Sequence, residues 1–410
     1  MTKRRYYTLI LILGALTALG PFSIDMYLPG FEAIAKDLNT TISNVSLSLS
    51  SFFIGISAGQ LLYGPLLDKY GRKKPLYFGL GIYLVTSILC AFATSIEMLV
   101  VFRFFQAVGS CAAGVASLAM VRDLFPVKDS AKVFSLLMLV VGTSPMLAPM
   151  AGKFVTAAFG WHSVFIILTG IACLIVVAIF FFLPESSPPD PSYSLKPKPI
   201  LKNFYSVIKE PQFFTYSLAG AVAFSALFVY VSASPQIFLE IYKVGPDAYI
   251  WIFALLSVGF IGSSYLNSFV VKKHDSERII FTSLAIMCIS NLLFLTGSLN
   301  SWFGLPGNTA LLFIMLSCLG FSFPNSSALS LAPFSKNAGS ASALMGFLQM
   351  AFGALASVAV SMLSNGTMVP IVTVITGASL ISFAILIILK KKIKAHSVLP
   401  KEQFREQIHF

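Results

Sequence analysis

Long apolar runs broken by short polar stretches fill the chain, and within each run the apolar positions are continuous rather than alternating. About 20 such residues span a bilayer as an α-helix, whereas a membrane β-strand would show alternating segments of about 10. Windows of helical length fall at twelve places, about 6–28, 44–67, 76–95, 97–121, 131–157, 162–183, 213–238, 246–271, 277–300, 307–330, 340–363 and 368–390. Six runs precede and six follow the stretch "PESSPPDPSYSLKPKP", residues 184–199, which holds six prolines. Proline lacks the amide donor a helix needs, so this stretch predicts a semi-rigid extended linker. After it, Ile200, Leu201, Phe204, Val207 and Ile208 recur at helical spacing, with Lys202, Asn203, Ser206 and Lys209 on the other face. That pattern predicts a short amphipathic helix lying on the cytoplasmic membrane surface, the alternative being a frayed start to the seventh span. The expected fold class is therefore an all-α polytopic membrane protein of twelve transmembrane helices. It divides into a six-helix half over 1–183, a linker with the amphipathic helix over 184–212, a second six-helix half over 213–390, and a basic tail over 391–410.

Composition sharpens this picture. The chain is 57% hydrophobic and 11% charged, with a mean hydropathy of +0.85, against about 25% charged residues in soluble domains. A water-soluble protein is excluded. The net charge of +12 would by itself suggest nucleic acid, but its placement argues for topology. All but four of the 28 Lys and Arg fall in the N-terminus, the C-terminus and the loops on the same side as both. The exceptions are Lys36, Lys153 and Lys243 on the other side and Arg103 inside a span. Basic loops stay inside, so both termini are expected in the cytoplasm of a cell with the chain in its inner (plasma) membrane, with no nucleic-acid partner. The first span is too long for a signal-peptide core and reads as a retained helix. The five cysteines, Cys90, Cys111, Cys173, Cys288 and Cys318, lie in spans without metal-ligand spacing and are expected to be buried small hydrophobes.

Charge inside the spans points to chemistry. In "GPFSIDMYLPGF", residues 20–31, Asp25 stands between Pro21 and Pro29 and is the one acid clearly within a span. An isolated carboxylate there costs roughly 3 kcal/mol on insertion scales. Glu97 and Glu240 sit at span edges, and Glu32 would share a face with Asp25 only if the first helix continued past Pro29. Arg103 is the one cation well inside a span, at a depth comparable with Asp25, so neighbouring helices would let the two partly neutralise each other. Two readings follow: a titratable acid coupled to conformation, or a fixed ion pair that orients two helices. In "GPLLDKYGRKKPL", Gly71 permits a sharp turn, while Arg72, Lys73 and Lys74 hold it in the cytoplasm. Asp68 is then placed to meet a basic partner or the positive end of a helix starting near Ser340, as a latch that breaks in another conformation. Tyr27, Gln60, Gln106, Tyr230, Asn325 and Gln349 are candidate substrate-cavity residues, with Asn267, Met345 and Met350 beside them. Each such residue more often serves helix packing. Gly55 and Gly59 form a small-xxx-small pair suited to close helix contact.

These motifs resemble those of the major facilitator superfamily, in particular the twelve-helix drug/proton antiporters of the Bcr/CflA branch. Gly64, Asp68, Gly71, Arg72 and Lys73 match the family's loop 2–3 motif, and Arg103, Gln106 and Gly109 its fourth-helix motif. "SIDMYLPGF" resembles the first-helix signature, and "SPMLAPMAGK", with Pro145, Pro149 and Gly152, resembles the antiporter motif. Ala148 and Lys153 replace two glycines of that motif's usual form. The resemblance implies a multidrug efflux transporter, associated with antibiotic resistance, that exports small amphiphilic drugs or metabolites by alternating access. Asp25 would bind and release the proton, Arg103 would tune it, and Asp68 with Arg72 would form the cytoplasmic gate. Energy would come from the proton gradient, with no cofactor or metal, and the partners would be a small-molecule substrate, protons and the lipid bilayer around a monomer. The chain contains no H-E-x-x-H, Walker A loop or His/Cys cluster, so an enzyme is not expected. An importer or passive facilitator of a small metabolite stays open, as does a non-transporting receptor or scaffold.

Overall fold

The computed structural model describes residues 3–125, 127–189, 197–334 and 338–396. Helix α1 (Lys3–Asp25) is followed by a 3₁₀ turn over Leu28–Gly30 and by the short α2 (Phe31–Asp37). Five long helices complete the first half: α3 (Ile42–Tyr70), α4 (Lys73–Ala91), α5 (Ile96–Leu124), α6 (Val127–Phe159) and α7 (His162–Phe182). After α8 (Pro197–Ile208), the second half holds α9 (Pro211–Pro235), extended by a π turn over Gln236–Ile241, and α10 (Pro246–Val270). It continues with α11 (Ser276–Leu299), α12 (Leu305–Leu331), α13 (Ala338–Leu363) and α14 (Val369–His396). Among the described residues there is no strand, and eleven helical segments are long and apolar enough to cross a membrane. The twelfth expected run is carried by α6, a single helix of 33 residues.

Local chemistry sets the helix ends. The Thr41 and Ser95 hydroxyls accept from the amides of Asn44 and Met98, capping α3 and α5. Gly71, with φ +79°, makes the reversal between α3 and α4 that a side chain would disfavour. At Pro29 the amide that would continue α1 by bonding to the Asp25 carbonyl is missing, so α1 stops at Asp25 rather than running on to 28. Glu32 therefore sits exposed on α2, not on a continuous face with Asp25. The proline-rich linker is also shorter than expected. Pro197 and Pro199 enter the first turn of α8, where no intrahelical amide is needed, and residues 190–196 lie outside the described residues.

In the first half, α3 and α4 pack on α5, α4 also meets α7, and α1 fills the space between α5, α6 and α7. In the second half, α9 packs on α12, α13 and α14, while α12 also meets α10 and α11. The halves meet chiefly along α3 with α13 and α6 with α10. Close approach of α3 and α5 depends on the expected glycine pair. A Cβ on Gly55 would stand 2.3 Å from the Phe104 carbonyl oxygen, and one on Gly59 2.6 Å from the Cys111 Cβ. Around the bundle Leu174, Phe180, Trp251 and Ile289 are each more than two-thirds exposed, a surface suited to lipid rather than water. Cys173 shares this surface, a departure from the expectation that all five cysteines are buried. It falls on the outward side of α7, where lipid and not protein supplies its apolar surroundings. We call the end carrying the N-terminus, the α3–α4 turn and α8 the basic end, and the opposite one the far end.

Overpacking of this kind costs about 1–3 kcal/mol. Gly55→Val is expected to lower the unfolding temperature of the purified protein clearly, whereas Gly81→Val, where no atom lies within 4 Å of the new Cβ, is not. Equal melting of the two variants by scanning fluorimetry would show that the α3–α5 contact is looser than described.

Candidate functional site

A cavity of about 630 Å³ enters the bundle from the basic end. Its mouth is bordered by Asp68, Arg72 and Asp123 of the first half, Asn203 and Phe204 of α8, and Ser340 of α13. Its depth is formed by Thr17, Gly20, Pro21, Ile56, Gln60 and Ser110, so it ends one helical turn below Asp25. Of the six candidate cavity residues, Gln60 lines it. The others serve packing: the Tyr27 hydroxyl bonds with Ser48 at 2.9 Å, and the Asn325 amide donates to the Asn267 Oδ1 at 2.7 Å. Tyr230 stacks on Phe253, Gln349 is buried on α13, and Gln106 joins Arg103 to Ser87.

Beyond the cavity the far end is closed. Along α3, Ser43, Ser46, Ser50 and Ser57 form a stripe at i, i+3, i+7 and i+14, and each bonds to the other half, the first three beyond the cavity and Ser57 level with its depth. Ser43 and Ser46 donate to the carbonyls of Ser361 and Ser232, each at 3.0 Å. Ser50 pairs with the Ser357 hydroxyl at 2.6 Å, and Ser57 donates to the Phe347 carbonyl at 3.2 Å. Lys153, the departure in the fifth-span motif, forms an ion pair with Asp247 in the first turn of α10. Asp25 lies in this closed region, 5% exposed, at the last residue of α1. The Ser144 hydroxyl of α6 lies beside its carboxyl, and Tyr230 of α9 and Tyr249 of α10 face it from the other half within electrostatic range. Among the described residues the Tyr230 hydroxyl has no hydrogen-bond partner. Gly152 backs the same segment: a Cβ there would stand 2.0 Å from the Met26 carbonyl oxygen, so α6 touches the chain directly after Asp25. Pro145 and Pro149 lie within α6, both N-terminal to that approach.

The expected Asp25–Arg103 pair does not form. Helices α1 and α5 are neighbours, yet the ion pairs of the described residues do not join these side chains. Arg103 is completely buried under rings, its guanidinium 4.1 Å from the centroid of Phe52, 4.8 Å from Tyr27 and 5.8 Å from Phe165. One Nη donates to the Gln106 Oε1 at 2.6 Å, while Nε and the other Nη have no hydrogen-bond partner among the described residues. Two residues past Asp25, the Tyr27 ring occupies the space over the guanidinium.

At the basic end the charges form a network within the first half. Arg72 donates to Asp68 at 2.8 Å and to Asp123 at 2.9 Å, and Ser186 donates to the same Asp123 carboxylate. Burial alone would lower the Arg72 pKa, but the two carboxylates outweigh it and hold it above the ordinary arginine value. The Glu185 carboxylate accepts from the amides of Arg72 and Lys73 at 2.8 and 3.0 Å, capping α4 from the linker. Lys73 reaches back to the Leu183 carbonyl at 2.8 Å, and Gly64 faces the cavity. Among the described residues the ion-pair partner of Asp68 is Arg72, and Ser340 of α13 borders the same cavity mouth, so the expected latch to α13 is not among the described ion pairs.

A family model described as Major Facilitator Superfamily matches residues 12–358. The chain belongs to the Major Facilitator Superfamily. It is 32% identical to the "Bicyclomycin resistance protein homolog" of Haemophilus influenzae over 369 residues, 90% of this chain and 92% of the relative. It is also 32% identical over 359 residues to the "Uncharacterized MFS-type transporter YdgK" of Bacillus subtilis, covering 87% of this chain and 89% of that one. With "Multidrug resistance protein MdtL" of Escherichia coli it shares 30% over 338 residues, 82% of this chain and 84% of the relative. Among solved structures, a D-xylose-proton symporter superposes with a TM-score of 0.72 at 15% identity, over 93% of this chain and 98% of that one. A bacterial homolog of the lysosomal transporter Spinster, in an inward-facing and unoccupied conformation, superposes at 0.70 with 15% identity, over 95% and 96%. The chain is thus a multi-pass membrane protein with the fold of this superfamily.

Within this superfamily member, sequence reasoning missed Asp123, Glu185 and the α3 serine stripe. The stripe had a signal, since serines three, four and seven apart share one helical face. Asp123 and Glu185 had none, because their partners are distant in sequence. Replacing a cap costs on the order of 1 kcal/mol, so Glu185→Ala is expected to raise hydrogen exchange at the Arg72 and Lys73 amides about fivefold. Unchanged exchange there would remove the linker cap from the site.

Proposed function

We propose that this chain is a proton-driven exporter of small amphiphilic drugs or metabolites, working as a monomer in the inner (plasma) membrane with both termini cytoplasmic. Asp25 carries this reading, because an ionisable group lies in the seam that must open and close. With the basic end inward, the arrangement described is inward-open and closed outside. A protonated, neutral Asp25 tolerates the closed seam against Tyr230 and Tyr249. Releasing the proton toward the cavity, one turn away, leaves a carboxylate in an apolar seam, at a cost of roughly 3 kcal/mol. That cost favours opening the far end, where water solvates the carboxylate and cargo leaves. Protonation from outside then permits closure, so one proton enters as cargo exits. Arg103 tunes this cycle through Tyr27 rather than by pairing, and the Asp68–Arg72–Asp123 network forms the cytoplasmic gate. No bound cofactor is required, since the proton gradient supplies the energy.

The symporter neighbour uses the same fold, so direction must be measured. Cells expressing the protein are expected to accumulate several-fold less bicyclomycin, or another member of a drug panel, than vector controls, with the difference abolished by a protonophore. Asp25→Asn is expected to export at least tenfold more slowly. Export by Asp25→Asn at the full rate sinks the proton role, and raised accumulation in the wild type establishes an importer.

The far-end ion pair makes a second test. Asp247 is largely exposed, so its pair with Lys153 is worth at most about 1 kcal/mol. Asp247→Asn is expected to raise the far-end-open population about two- to fivefold, read as a longer spin-label distance between positions 44 and 365. A shift toward the shorter distance would contradict the assignment of this pair to the closed state.

A further inference from the structure

The outer side of α8 belongs to neither the cavity nor the seam. Its sequence, PKPILKNFYSVI, holds two lysines and no acid, and Lys209 follows it directly. Two apolar strips run along the helix. Phe204 and Val207 are covered by Ala341 and Leu344 of α13. Leu201, Tyr205 and Ile208, at i, i+4 and i+7, are 63%, 59% and 40% exposed. At about 100° per residue, Lys198, Lys202 and Lys209 share one stripe directly beside Tyr205, on the side away from the docked strip. The Lys209 ammonium stands 4.6 Å from the Tyr205 ring centroid. Within three residues of Ile208 the chain enters α9, a membrane span, so the strip lies at the level where that span meets the bilayer surface.

We propose that α8 seats on anionic phospholipid headgroups of the leaflet at the basic end, and that this seat holds one wall of the cavity mouth. Charge complementarity selects the occupant. Lysine stems lie along apolar surface while their heads reach outward to phosphate. An apolar strip or a basic stripe alone binds membranes weakly and reversibly, whereas the two together anchor. Ile200 and Asn203 on the same helix line the cavity, and Phe204 and Val207 tie it to the start of α13. Lipid charge therefore reaches the moving half through one short helix. This inference requires the membrane-spanning fold but not the exporter reading.

The test uses the full chain in nanodiscs of phosphatidylcholine alone or with about 30% phosphatidylglycerol, followed by hydrogen exchange across residues 200–208. Each lysine near an anionic leaflet contributes about fivefold in binding, so exchange is expected to slow at least tenfold in the anionic discs. The slowing should vanish in about 0.5 M salt, where screening is nearly complete, and in the triple variant Lys198→Gln, Lys202→Gln, Lys209→Gln. The corresponding triple Arg variant should retain it, which separates charge from folding. Equal exchange in both lipids, or an undiminished lipid response in the Gln variant, overturns the proposal. Protection found only in discs holding two copies overturns it too, by making the strip a dimer face.

Discussion

The α3 serine stripe is the constraint on which the rest of the molecule depends, because it closes the far end with bonds weak enough to break. In a membrane such side-chain bonds are worth about 0.6 kcal/mol each and rarely more than 2. Four of them, from Ser43, Ser46, Ser50 and Ser57, hold α3 to the other half without locking it. A single carboxylate charge in the same seam weighs roughly 3 kcal/mol, comparable with the whole stripe. Among the described residues Asp25 is the buried carboxylate of that seam, while the Lys153–Asp247 pair lies at its more exposed edge.

The geometry also explains why Asp25 and Arg103 share a small region without pairing. A fully buried guanidinium needs compensation, and here it comes from ring faces and from Gln106 rather than from an anion. Cation–π contacts of desolvated groups reach about 2 kcal/mol each. Since Tyr27 supplies one of those faces and follows Asp25 by two residues, a shift of the Asp25 turn must move the ring over Arg103. Gly152 makes the same turn sensitive to α6, where the Met26 carbonyl rests against its bare Cα. The basic end is organised differently. There Arg72 is paired with Asp68 and Asp123 of the first half, and Glu185 of the linker caps α4, so these groups keep their partners beside the open cavity.

Helix number, the two halves and the amphipathic α8 were legible in the sequence, because each rests on a local rule of apolar length or period. The glycine pair on α3 was legible for the same reason: small residues four apart permit one outcome, close approach. Asp25 and Arg103 were legible as intramembrane charges, but their relation was not. Comparable depth on neighbouring helices fixes neither rotation about the axis nor the chain path after Pro29. Tyr230 was read as cavity lining, yet it packs in the seam facing Asp25.

The sequence by itself determined that this chain crosses a membrane about twelve times, that basic charge gathers at one end, and that one acid stands where lipid would penalise it. These follow from transfer energies, which depend on residue type and local run length. Only the tertiary structure decided which half Asp25 faces, that Arg103 is sheltered by rings, and that Lys153 meets Asp247 across the halves. Those pairings join residues scores of positions apart, and no local energy selects among them. They are set by how two helical bundles bring their faces together.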